Sequence, residues 1–313
     1  KLAPDSRLTF VSTPQAAPIA ELCRTIDRVV PYNKRDKSRS ALQGIRSIAS
    51  ELRSDGVDCV ISAHRSLRST LLTRYIRPRF SVAFDTSAAS WLYSDTVRYR
   101  RRAHESERLA ELLTAFDLPS AANQISERVS LEFKHSDIDA AESLLADAPS
   151  GKKTVVLAPA SVWETKRWTE KGFAELAEKL SELNYRVLVM GGPSDAELCE
   201  AVAGGTATSV AGRLSIPQSV YLLSRADLLI SNDSAPVHFA ALVGCPTAAI
   251  FGATSPIFGF GPLSPRSVVI ENHGIECRPC RIHGSRSCPL GHFRCMESIS
   301  SDMVLREALK LLL

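Results

Sequence analysis

The sequence predicts an α/β protein made of two consecutive parallel β/α halves, and three observations predict it. Over most of the 313 residues, apolar runs of strand length alternate with segments of helical period. The alternation lapses across a polar, weakly periodic stretch from 117 to 153 and then restarts. Residues 227–252 hold a whole strand–turn–helix–strand unit: apolar Leu228 to Ile230, the turn Ser231-Asn-Asp-Ser234, a helix stopped at Gly244, and a second apolar run from Thr247 to Phe251. Units of this kind give two Rossmann-like domains facing a cleft. Residues 1–150 make the first, with the connection starting near 117. Residues 151–313 make the second, with a cysteine-rich loop at 277–295 and a C-terminal helix.

In the first half, 8–12 reads as a strand, 16–23 as a helix and 27–31 as a short strand before a charged loop. Leu42, Ile45, Ile48, Ala49 and Leu52 give 41–54 helical spacing, and 57–62 reads as a buried strand. Residues 81–84 form another strand, and 104–116 a helix with Leu109, Leu112 and Leu113 on one face. The connection carries a strand-like patch near 129–133 and a helix near 138–145. The second half has strands at 154–157, 186–190 and 208–210, and helices at 172–183, 196–203 and 218–224. The 227–252 unit and a last helix at 302–313 complete it. A parallel α/β domain starts with a strand, yet Lys1-Leu-Ala-Pro-Asp-Ser reads as a helix end and turn. The first domain is therefore expected to lack its first strand through N-terminal truncation.

Bulk properties narrow the function. The 44% hydrophobic content is that of a globular chain, and no apolar run approaches the roughly 20 residues that span a bilayer. No signal-peptide pattern is visible, and a net charge of +4 gives no reason to expect nucleic acid. Basic residues are unevenly spread, however. Arg65, Arg68, Arg74, Arg77, Arg79, Arg98, Arg100, Arg101 and Arg102 face only Asp85 and Asp95 in the same stretch. That is either a solvated face or a surface that meets phosphates or an anionic membrane. Cys23, Cys59, Cys199 and Cys245 are scattered and read as small buried hydrophobes, which favours the reducing cytoplasm.

Three turns at strand ends of the second half are suited to one anionic ligand. Ala158-Pro-Ala-Ser-Val-Trp-Glu-Thr-Lys-Arg-Trp168 offers the Ser161 hydroxyl, backbone N–H groups and the compact charge of Lys166; otherwise it is an ordinary basic loop. Gly191-Gly-Pro-Ser-Asp-Ala-Glu197 lets backbone approach a ligand, with Asp195 or Glu197 on ribose hydroxyls, although Ser194-Asp-Ala-Glu is equally a helix cap. Asn232-Asp-Ser-Ala-Pro-Val-His238 places Asp233, Ser234 and His238 at a helix N-terminus, where free N–H groups attract anions. The alternative there is a satisfied cap and a core histidine. The absence of GxGxxG and Walker patterns disfavours NAD and P-loop chemistry.

The order of Lys166-Arg-Trp168, Gly191-Gly192, Ala211-Gly-Arg-Leu214, Ser231-Asn-Asp-Ser-Ala-Pro-Val-His238 and Phe251-Gly-Ala-Thr-Ser-Pro256 resembles the glycosyltransferase family 9 heptosyltransferases. The resemblance is specific from about Val155 onward and looser before it. It implies the GT-B fold and inverting transfer of heptose from ADP-heptose, ADP-L-glycero-D-manno-heptose, to the lipopolysaccharide inner core. Donor contacts implied at matching positions are Ser161 and Val162 on the diphosphate, Lys166 neutralising it, and Asp195 on the ribose. Leu214 packs on adenine, and Asp233, Ser234, Ala235 and His238 grip diphosphate and heptose. Ala235 stands where the family usually has Gly. Arg65 and Arg68 are the implied contacts to a lipid A–Kdo or heptosyl acceptor, and location on the cytoplasmic face of the inner membrane, against its anionic surface, follows. The family's general base is an Asp after the first strand. No residue here takes that role, so this chain is expected to bind ADP but transfer sugar poorly.

Such a transfer needs a base on the acceptor hydroxyl and a stabilised diphosphate leaving group. Lys166 and the helix start at Ser234–Ala235 supply the second without a cofactor. Cys277, Cys280, Cys288 and Cys295, in a segment that also resembles the heptosyltransferase II branch, are compatible with a structural zinc or with free thiols; His283 and His292 are further candidate ligands. The competing readings are another GT-B enzyme with a different nucleotide sugar, a non-catalytic nucleotide-sugar-binding remnant, and a zinc-stabilised interaction module.

Overall fold

The computed structural model describes residues 5–34, 36, 38, 40–116, 129–146 and 151–313. The chain divides into two units, Lys1–Ser130 and Leu131–Leu313. The first contains β1 (Thr9–Ser12), α1 (Ala17–Ala20), β2 (Arg28–Pro31), α2 (Ala41–Ser54), β3 (Cys59–Ser62), α3 (Leu67–Ile76), β4 (Phe80–Phe84), β5 (Asp95–Val97) and α4 (Glu105–Glu111). Ser40 starts α2 with a capping box, its hydroxyl accepting the Gln43 N–H while the Gln43 side chain accepts the Ser40 N–H. The apolar face foreseen for 41–54 then buries Ile45, Ala49 and Leu52.

All strand pairing in this unit is parallel, in two sheets ordered β1-β2 and β3-β4-β5. Among the described residues no strand joins them. Both nonetheless contribute to one apolar layer, where Val30 of β2, Ala49 and Leu52 of α2 and Ile76 of α3 pack with Val11 of β1 and Val60 of β3. Some expected elements change length. The 16–23 helix shrinks to Ala17–Ala20 with Pro18 in its first turn. The 104–116 helix is α-helical only to Glu111 and tightens to a 3-10 helix over Leu112–Phe116. The patch near 129–133 makes an isolated bridge at Leu131, not a strand, and 117–128 and 147–150 of the expected connection lie outside the described residues.

The second unit contains α5 (His135–Ala146), β6 (Thr154–Ala158), α6 (Glu170–Glu182), β7 (Arg186–Val189), α7 (Ala196–Ala203), β8 (Thr208–Ser209), α8 (Ile216–Arg225), β9 (Leu228–Asn232), α9 (Ala235–Val243), β10 (Thr247–Ile250), β11 (Ser267–Ile270), α10 (Arg294–Glu297) and α11 (Ser301–Leu312). Helix α5 belongs here. The Tyr221 hydroxyl of α8 meets the Glu142 carboxylate at 2.8 Å, and Arg186 donates to the Leu145 carbonyl at 2.6 Å.

Its six parallel strands run β11-β10-β9-β6-β7-β8. Counted in chain order this is the 3-2-1-4-5-6 arrangement of a doubly wound dinucleotide-type sheet. β6 and β9 are buried along their whole length because both faces are covered. On one face Leu157, Phe173, Leu176, Leu180, Ile230 and Ile250 pack together, and on the other Val156, Leu188, Leu222, Leu223 and Leu229. Strand β11 was not foreseen, because only four residues of it pair and they follow a proline-rich loop.

Leu229 is fully buried in the central strand. Leu229→Ala is expected to cost about 2–5 kcal/mol in denaturant unfolding, and a loss below about 1 kcal/mol would contradict this packing.

Candidate functional site

In a sheet of this order, connections leave to opposite sides after β6 and β9, so a crevice opens at their carboxyl ends. The loops that leave there are those starting at Pro159 and Asp233. One side chain joins them: fully buried Asn232 donates its amide N–H to the Pro159 carbonyl at 2.7 Å and accepts the Trp168 N–H at 2.9 Å. Trp168 is anchored in turn, its indole N–H donating to the Ile299 carbonyl at 2.9 Å. Gly172 is required below it, since a Cβ there would lie 2.6 Å from the Trp168 ring.

With the loops fixed, the 3-10 turn Glu164–Lys166 delivers Lys166 to Asp233. Lys166 Nζ lies 2.7 Å from Asp233 Oδ2 and donates to the Asp233 carbonyl at 3.2 Å. The side chains are 15% and 7% exposed, so the pair is nearly dry. Such a pair repays its desolvation only when geometry and further hydrogen bonds are good. The buried Thr254 hydroxyl adds one, donating to Asp233 Oδ2 at 2.7 Å.

The other expected donor residues line the same sheet edge. Ser161 is buried, its hydroxyl accepting the Trp163 N–H at 3.4 Å and its carbonyl accepting Arg167 Nε at 2.7 Å. Val162 beside it is 84% exposed. Ser234 is the N-cap of α9 with no side-chain capping bond, which leaves the helix start to the Ala235 N–H, since Pro236 has none and the Val237 N–H donates to the Ser234 carbonyl at 3.2 Å. Ala235 and His238 are exposed. At the ends of β7 and β8, Asp195 Oδ2 accepts the Gly192 N–H at 2.9 Å, which is the turn-locking role that competes with ribose binding. Gly212, at φ +70°, donates to the Gly191 carbonyl at 3.0 Å and brings half-buried Leu214 beside that turn.

The cysteine segment braces this site. Ser285 exchanges hydrogen bonds with Thr165, next to Lys166, and the Cys280 N–H donates to the Ala253 carbonyl at 2.8 Å. An isolated interaction module would not be tied in this way to the loops after β6 and β10. Cys277 Sγ is 3.7 Å from His292 Nε2, and His292 Nδ1 accepts the Arg294 N–H at 3.1 Å, so the ring carries its proton on Nε2 toward the sulfur. Burial pushes the Cys288 thiol up, but the N–H groups of Phe293, Leu290, His292 and Gly291 together outweigh it and hold the thiol below its ordinary value. Burial holds the Cys280 and Cys295 thiols above theirs. Among the described residues no group of three or more His, Cys, Asp or Glu side chains is arranged to hold a metal ion, so the zinc reading gains no support from geometry.

In the first unit, Arg65 follows β3, with its guanidinium 3.9 Å from the Tyr99 ring centroid. Arg68 donates to the Lys34 carbonyl at 2.9 Å. Beyond β5 lies an open cleft of about 830 Å³ lined by Arg98, Tyr99, Arg100, Arg101 and Arg102. Glu111, also at its wall, pairs with Arg100 at 3.0 Å. Sequence reading noted these arginines as a basic stretch but named only Arg65 and Arg68 as contacts. It also missed Asn232 and Thr254, which lie inside the motifs it quoted, and Arg278, hidden in a motif read for its cysteines.

Two consecutive parallel α/β units, the second a doubly wound sheet, are the architecture of a GT-B protein. Residues 45–290 match glycosyltransferase family 9 (heptosyltransferase), and the chain belongs to that family. It is 24% identical over 237 residues to the lipopolysaccharide core heptosyltransferase OpsX of Haemophilus influenzae, covering 73% of this chain and 65% of OpsX. It is 29% identical over 270 residues to lipopolysaccharide heptosyltransferase 1 of Pseudomonas aeruginosa, covering 82% of this chain and 72% of that one. The chain thus spans about two thirds of these curated relatives' lengths. Its fold matches a glycosyl transferase family 9 structure from Veillonella parvula at TM-score 0.85, with 22% identity and coverage of 99% and 89%. It matches E. coli ADP-heptose lipopolysaccharide heptosyltransferase II at TM-score 0.75, with 19% identity and coverage of 99% and 90%.

Burial pushes the Cys199 and Cys245 thiols up to about 12. Because the thiolate is the reactive form, at about pH 8 only roughly one such thiol in ten thousand is ionised. Mass-spectrometric mapping after native-state iodoacetamide treatment should leave both unmodified while denatured protein is labelled at both; fast native labelling of either would contradict their placement.

Proposed function

We propose that this chain binds ADP-heptose and serves inverting transfer of heptose to the lipopolysaccharide inner core. The observation that carries the reading is the Lys166–Asp233 pair, nearly dry at the switch point beside the α9 N-terminus. A diphosphate leaving group gathers negative charge as the anomeric C–O bond breaks. A nearly dry ammonium, with the Ala235 N–H at the helix start beside it, stabilises that charge with little reorganisation. Asp233 keeps Lys166 in place, and Ser161, Val162, Ser234, Ala235 and His238 complete the diphosphate and heptose contacts. Asp195 and Leu214 take ribose and adenine. In such a transfer the acceptor hydroxyl attacks the anomeric carbon from the face opposite the diphosphate and ADP departs; the residues named here hold the donor, and none of them is assigned as the base that takes the hydroxyl proton.

The inner core is anionic. Arg65, Arg68 and the cleft lined by Arg98 and Arg100–Arg102 supply a matching field for its carboxylates and phosphates, or for an anionic membrane surface. No described helix is long and apolar enough to cross a membrane. We place the protein peripherally on the cytoplasmic face of the inner membrane. ADP-heptose as donor draws support from the E. coli enzyme whose fold the chain shares. A different nucleotide sugar is the alternative.

Calorimetry with ADP, UDP and GDP separates these readings: ADP should bind, and binding of UDP but not ADP would discard the heptose assignment. Lys166→Ala and Asp233→Ala should each weaken ADP binding by at least about tenfold, roughly 1.4 kcal/mol, and wild-type affinity in both would discard the site.

A further inference from the structure

Behind the ion pair, the loop after β10 is held at three successive carbonyls, those of 252–254. Arg278, whose side chain is 7% exposed, donates from Nε to the Gly252 carbonyl at 2.8 Å. Its two terminal nitrogens reach the Thr254 carbonyl at 3.0 Å, the Asn272 carbonyl at 3.2 Å, and the Glu271 carboxylate. The Ala253 carbonyl between them accepts the Cys280 N–H at 2.8 Å, and the Ala253 N–H reaches the Thr165 carbonyl at 3.4 Å. Gly252 is packed so closely that a Cβ would lie 2.7 Å from the Met296 side chain. The loop therefore has one position, and it fixes the buried Thr254 hydroxyl on Asp233 Oδ2.

That oxygen receives both Thr254 Oγ1 and Lys166 Nζ, each at 2.7 Å. A hydroxyl donating to a carboxylate is a charge-assisted bond, and it selects one rotation of a side chain whose terminal torsion is otherwise broad. The Lys166 ammonium follows the carboxylate. We propose that Thr254 and Arg278 are positioning residues for the donor diphosphate: Arg278 fixes the 252–254 loop so that Thr254 holds Asp233, and through it Lys166, where the phosphates bind. This rests on the donor reading above. A planar fork with several fixed donors can hold separate carbonyls at once, and a lysine at 278 would keep the charge for Glu271 without that fork.

The test is ADP calorimetry on the full chain with Thr254→Val, Thr254→Ser and Arg278→Lys, with each variant's melting temperature as a folding check. Thr254→Val keeps the shape and loses the donor, while Thr254→Ser keeps the donor. Thr254→Val and Arg278→Lys are expected to weaken ADP by about fivefold or more, and Thr254→Ser to stay within about twofold of the unaltered chain, at similar melting temperatures. Wild-type affinity in Thr254→Val, or equal losses in the Ser and Val variants, would overturn the inference. So would losses that appear only where the melting temperature falls. No ADP binding by the unaltered chain would overturn the donor reading itself, a separate result.

Discussion

The buried amide of Asn232 is the constraint on which the candidate site depends. It lies at the last residue of β9, where the strand order turns, and bonds to both ends of the loop leaving β6. Without those bonds, Pro159 and Trp168 would present unpaired polar backbone groups in a dry interior, at about 1–3 kcal/mol each. With them, the 3-10 turn bearing Lys166 has a fixed take-off point from the sheet. A polar side chain this deep is costly unless fully bonded, and a fully bonded one rigidifies its surroundings.

From that anchor the site is assembled by successive short-range contacts. Trp168 sits on Asn232 and buries its ring over Gly172, which lets α6 start directly beneath the site. The turn before it brings Lys166 to Asp233, at the end of the next strand. The segment carrying Cys277, Cys280 and Ser285 closes the far side through Thr165 and the loop after β10. A charge pair that would be marginal alone thus sits in a frame of backbone hydrogen bonds. That is the arrangement an enzyme needs to place a cation against a developing anion with little reorganisation.

Much of this was legible in the sequence. The run 227–252 announced its strand, turn, helix and strand because the apolar stretches are of strand length and Gly244 ends the helix in a left-handed residue, φ +70°. The placing of Ser161, Lys166, Asp233 and Ser234 at strand ends followed from parallel-sheet geometry alone. Pairing was not legible. Nothing in the spacing says that Asp233 spends its charge on Lys166, or that Asp195 turns back onto the Gly192 N–H. Arg278 was invisible as a scaffold residue because its partners are carbonyls 6 to 26 residues away. The short strands β5 and β11 and the early end of α4 escaped because few residues carry too weak a period to read.

The most direct test of the central claim is a crystal structure of the chain grown with ADP. The account predicts the diphosphate at the β6–β9 switch point, with Lys166 Nζ within about 3 Å of a phosphate oxygen and the α9 N-terminus facing it. ADP bound instead in the arginine-lined cleft beyond β5, with the Lys166–Asp233 pair untouched, would contradict it.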